Sequence, residues 1–150
     1  MRPSFFVRIL RNRHLLAYCA ESAVELAVCK VRTVFLPFRR WCRSPGYFQS
    51  ETLKENMLPE RFRILAVRHS IQLTARWVPW RSKCLDQALA AQHMLGRRGL
   101  QSTLYYGMMR DGKKKWLAHA WIRCGDQWVV GHQPDTHYTV VGTFAQIPRQ

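Results

Sequence analysis

At residue 100 the apolar period of this sequence changes. Upstream, apolar side chains recur at helical intervals; downstream, from "LQSTLYYGMMR" onward, they alternate with polar ones. A helical part followed by a strand part predicts an α+β fold. Residues 14–36 carry Leu15, Leu16, Cys19, Val24, Leu26, Ala27, Val31, Val34 and Phe35 at near-helical spacing, and Pro37 stops them. The turn-like "RSPGYFQSET" separates this helix from a second over 60–77, which Pro79 closes. A third is predicted from "SKCLDQALAAQHMLGRRG", with Ser82 as N-cap and Gly96 or Gly99 as terminator, so that Cys84 falls in its first turn. The segments "LQSTLYYGMMR", "WLAHAWIRC", "QWVVGH" and "HYTVVGTF" then read as four strands with short connections, an antiparallel meander.

With 150 residues, 47% of them hydrophobic, the chain can close one core. The expected organisation is an N-terminal helical region over 1–59 packed on a core domain over 60–150. Against 9 acidic residues stand 24 Lys and Arg, a net charge of +15. That balance suits nucleic acid, an anionic membrane surface or an acidic peptide, and equally a merely solvated face. The apolar run "LLAYCAESAVELAVCKVRTVFLPF" is broken by Glu21, Glu25, Lys30 and Arg32, which argues against a membrane span and leaves a helix lying on a membrane surface open. Five cysteines without a CxxC pair, behind no signal-peptide pattern, point to free thiols in a reducing cytoplasm.

Chemistry concentrates at Cys84. Unpaired N–H groups at a helix N-terminus favour a thiolate and can hold a developing oxyanion, and Lys83 adds in the same direction. The bland alternative is a small apolar side chain at the helix–sheet seam. A nucleophilic thiol needs an imidazole, and His119 stands on the strand face it shares with Leu117, Trp121 and Arg123. If Gly125-Asp126 is a two-residue turn, paired positions place His132 opposite His119, where it could orient the ring.

The motifs "KCLDQALAAQHMLGRRGLQSTLYYGMMRDG" and "LAHAWIRCGDQWVVGH", over roughly residues 60–145, resemble the transglutaminase-like peptidase domain of lasso-peptide maturation B proteins. The resemblance implies a transglutaminase-like or papain-like cysteine peptidase core that removes the leader from a ribosomally made precursor before macrolactam closure. Cys84 would be nucleophile and His119 general base. The family's acidic third member falls near His132, so either His132 or Asp135 from "QPDT" would take that role, or a dyad would suffice. No cofactor or metal is implied. The implied partners are the precursor peptide, a separate leader-recognition protein and a lasso cyclase, with no nucleic acid.

Two competing readings stand beside it. Interleaved Trp and Arg in "TARWVPWRSK" suit a non-catalytic basic module for nucleic acid or an anionic membrane. Cys124, His132 and His137 could be zinc ligands, but their spacing lacks a paired CxxC or HExxH.

Overall fold

A computed structural model describes residues 13–37, 40 and 46–148. Among the described residues stand the helices α1 (Arg13–Phe35), α2 (Arg61–Trp77) and α3 (Cys84–Arg97); α2 and α3 pack on one face of a five-stranded antiparallel sheet, and α1 packs on those two helices. The strands are β1 (Tyr47–Phe48), β2 (Ser102–Arg110), β3 (Trp116–Cys124), β4 (Gln127–Val130) and β5 (Thr139–Gln146). The α+β expectation and the change of period at residue 100 hold.

The helix at the centre is α3. Its Ala88, Leu89, Ala90, Ala91, Met94 and Leu95 are all buried, because small side chains between larger ones let the sheet approach from one side and α1 and α2 from the other. α1 buries only Ser22, Leu26 and Cys29, a stripe at i, i+4, i+7. Ser22 and Thr74 of α2 share a 2.6 Å hydrogen bond there, so close approach leaves no polar group stranded. Val24, Val31, Val34 and Phe35, expected on an apolar face, are exposed because α2 and α3 cover one side of α1 only.

The N-cap of α3 is Lys83 rather than Ser82. Its backbone N–H donates to Asp86 Oδ2 at 3.1 Å, the acidic half of a capping box. Asp86, 1% exposed, also accepts a 2.8 Å hydrogen bond from Thr33 and faces Lys30 at 3.6 Å, which fastens the start of α3 to α1.

The sheet order is β1-β5-β2-β3-β4, which corrects the simple meander. Strands β2, β3 and β4 do follow one another, but β5 pairs with the far side of β2, and β1, unforeseen, pairs with β5. Residues 131–138 therefore cross the end of the sheet, with the expected "QPDT" turn inside the crossing, where Thr136 N–H donates to Gln133 O at 3.3 Å. A second correction concerns register. Cys124 faces Gln127 and Arg123 faces Trp128, as counting from the turn demands, but Ile122 then faces Val130. The extra residue is a β-bulge, and it lets Val129 and Val130 both enter the core. The turn itself fits type II′, with φ +55° at Gly125 and no positive φ at Asp126.

Leu104, Ala120, Ile122, Cys124 and Phe144 face the helices. The opposite face carries Tyr105, Trp121 and Arg123, with Tyr105 and Trp121 stacked 5.7 Å apart. Arg123 is 2% exposed; its guanidinium donates to Gly125 O at 2.6 Å, Thr52 O at 2.9 Å and Tyr105 Oη at 3.0 Å, and Glu51 lies 3.3 Å away. The chain before α2 thereby seals that end of the face. Among the described residues, no helix is long and apolar enough to cross a membrane.

Candidate active site

Cys84 is the first residue of α3 and half-buried, as its position before "LDQALAAQ" predicts. The first intrahelical bond runs from Gln87 N–H to Lys83 O, so the amides of residues 84–86 have no helical acceptor. The backbone amide that Asp86 accepts is that of Lys83, so among the described residues the Cys84 N–H remains available to an oxyanion. Beside the thiol lies Tyr106 of β2, packed against the same core. Burial pushes the Tyr106 phenol above its ordinary value, and a charge on Cys84 would push it further.

His119 lies on β3 opposite Gly107 of β2. Its ring stacks on Tyr138 at 5.0 Å and lies 5.9 Å from Trp121. Nε2 meets the carbonyl oxygen of Gly131 at 2.5 Å. A carbonyl only accepts, so Nε2 carries the proton and, in the neutral ring, Nδ1 holds the lone pair that a base needs. Gly131 can offer that carbonyl because it sits at φ +82°, and a Cβ there would stand 2.4 Å from Ala120 O.

Neither residue expected to orient His119 does so. The bulge in β4 cancels the predicted His119–His132 pairing, since β4 ends at Val130 before the register could reach it. His132 instead stacks on Trp128, with ring centroids 4.1 Å apart. Asp135 is exposed in the crossing segment and makes no hydrogen bond to His119 among the described residues. His119, Trp121, His132 and Tyr138 do line a common cavity of about 140 Å³, so the crossing segment brings both histidines to one recess without pairing them.

Among the described residues no hydrogen bond joins Cys84 to His119. Strand alternation sends His119 out on the face of Trp121 and Arg123, while Ala120 and Ile122 face α3. The structure thus places each partner on the predicted element but does not pair them.

The postulated zinc ligands do not converge: Cys124 is fully buried at one end of β3, whereas His132 follows β4 at the other. Among the described residues, the side chains with metal-ligating geometry are Glu25, Cys29 and His93, whose donor atoms all lie within 4.8 Å of one another. The i, i+4 spacing of Glu25 and Cys29 was a readable signal for one face of α1; His93 on α3 was not, because helix docking decides which stripes meet. Gly131 lies inside "QWVVGH", read from the sequence as one strand, and nothing in that local pattern marks its carbonyl as the acceptor for His119. Burial pushes the thiols of Cys29 and Cys124 up to about 12, and for Cys29 the Glu25 carboxylate adds to this.

The sequence matches the family model described as "Transglutaminase-like superfamily" over residues 26–143. That span begins inside α1 and reaches β5, well upstream of residue 60, where the resemblance to lasso maturation proteins begins. No curated protein and no solved structure matches the chain.

Proposed function

Because the chain belongs to the transglutaminase-like superfamily, we propose that it is a cysteine peptidase that removes the leader from a lasso-peptide precursor. The observation that carries this reading is Cys84 as the half-exposed first residue of α3, in a chain whose His119 donates Nε2–H to the Gly131 carbonyl and so leaves Nδ1 as the ring nitrogen for proton transfer. The narrower substrate class rests on the motifs around "KCLDQ", "YYGMMRDG" and "AHAW".

In the proposed reaction, the Cys84 thiolate attacks the carbonyl carbon at the leader–core junction. The oxyanion is held by the Cys84 N–H with a second donor. As the C–N bond breaks, protonated His119 gives its Nδ1 proton to the departing amine and leaves a thioester on Cys84. Water then adds to the thioester, gives a proton back to His119, and releases the leader carboxylate and the thiol. A separate leader-recognition protein presents the precursor, and a cyclase takes the freed core peptide.

The experiment mixes the protein with a precursor peptide and its leader-binding partner and follows peptide mass. Cys84→Ala and His119→Ala should each lower leader removal by at least about 100-fold. His132→Ala and Asp135→Ala should retain most of it, because neither orients the ring. Leader removal that persists in Cys84→Ala overturns the assignment.

One observation favours a second reading. The absence of a Cys84–His119 hydrogen bond, together with the net charge of +15, suits a non-catalytic module that binds nucleic acid or an anionic membrane. Salt-sensitive binding to either that survives Cys84→Ala, with no peptide cleaved by the wild type, would establish it.

A further inference from the structure

We propose that Glu25, Cys29 and His93 form a zinc-binding site between α1 and α3, separate from Cys84 and His119. His93 Nδ1 is 2.8 Å from Glu25 Oε2 and 3.9 Å from Cys29 Sγ. One nitrogen is therefore approached by both a carboxylate and a sulfur. A tetrahedral zinc with ligand bonds of ~2.0–2.3 Å would set donor separations of about 3.5 Å; the two distances to His93 Nδ1 bracket that value, and all the donor atoms lie within 4.8 Å of one another, so side-chain rotation can close the set.

The donor set selects the ion. A thiolate, an imidazole and a carboxylate suit zinc, whereas magnesium and calcium take oxygen ligands. Glu25 and Cys29 are one helical turn apart on α1, and His93 projects from α3, so both backbones are rigid. Glu25 Oε1 is held by Arg97 at 2.9 Å, which fixes the carboxylate while Oε2 points at the site.

Three protein ligands leave a fourth position. Glu25, His93 and Gln146 line an open cavity of about 410 Å³, which gives an ion and a water a way in. Within it Gln146 Oε1 is a buried acceptor with no hydrogen-bond partner among the described residues, and a zinc-bound water could donate to it. The same three side chains could not act as a second catalytic triad. Glu25 occupies the Nδ1 that would have to receive the Cys29 proton, and Cys29 is only 1% exposed.

The test is a Co(II) titration of untagged, reduced protein, followed by absorption. One equivalent should produce a thiolate-to-cobalt band in the near ultraviolet and tetrahedral bands in the visible, and Zn(II) should abolish both. Cys29→Ser should lose the near-ultraviolet band, Cys84→Ser should keep it, and His93→Gln should weaken binding at least tenfold. Should Cys29→Ser fail to fold, the wild-type titration still decides the matter: no band at excess Co(II) overturns the proposal. A band that survives Cys29→Ser in folded protein, or disappears in Cys84→Ser, overturns it too. The peptide-cleavage assay reads Cys84 and His119, so the two proposals fail separately.

Discussion

A single carbonyl does the work for which two side chains were candidates. Gly131→Ala should cost about 1–3 kcal/mol, because alanine is strained at φ +82° and its Cβ would press on Ala120 O. Urea denaturation would measure that loss, and leader removal should fall with it as His119 loses its partner. The positions of Cys84 and His119 were legible, since a helix start and a strand face follow from local pattern. The partner of His119 was not, because one extra residue between the Ile122 and Arg123 pairings is invisible to counting from a turn. Two buried thiols make a further residue-scale prediction. Folding raises the values of Cys29 and Cys124 to about 12, so above the unfolded thiol range the unfolded chain releases protons that the folded one keeps. Stability should be unaffected below that range and fall as pH rises from about 9 towards 12, each thiol contributing up to ~1.4 kcal/mol per pH unit. Urea midpoints across this window would test it, and Cys124→Ala should flatten the slope.

The three helices and the strands β2 to β5 were legible nearly to their ends, because each has one dominant period and most stop at proline or glycine; β1, two residues in a turn-like stretch, was not. What joins them was not. "QPDT" does mark a turn within the crossing from β4 to β5, but only the pairing of β5 with β2 reveals the path of that crossing. Side chains that fasten one element to another were equally hidden. Asp86 ties α3 to α1 through Thr33 and Lys30, and Asp86→Ala should cost about 2–4 kcal/mol by urea denaturation, since it leaves a cap unmade and Lys30 without its carboxylate. At the other end of α3, Glu21 of α1 meets Arg97 at 2.8 Å and Arg98 at 2.5 Å. Burial pushes the Glu21 carboxyl up, but the hydrogen bonds from Arg98 and Arg97 outweigh it and hold the group below its ordinary value. Its stabilisation is therefore present above the unfolded value and lost as pH falls through the folded one. Glu21→Gln should remove that part of the acid limb in a pH series of thermal midpoints.

At the scale of the molecule, α1 belongs to the same core as the elements after residue 60. Leu26 and Cys29 are buried in the same cluster as Ile71 and Met94, and Glu51 and Thr52 supply partners to the buried Arg123. A fragment of residues 60–150 should fail to show a cooperative urea transition, since it would expose that cluster and strand a guanidinium. The sheet, for its part, ends on its two shortest strands: β1 has two residues and β4 has four. Flanks this short shield their neighbours only in part: β1 pairs with Phe144 and Ala145 of β5, and β4 with Ile122, Arg123 and Cys124 of β3. Among the described residues the rest of β5 and of β3 has no outer strand, so each side of the sheet keeps a stretch of backbone edge on which another extended segment would find hydrogen-bonding groups.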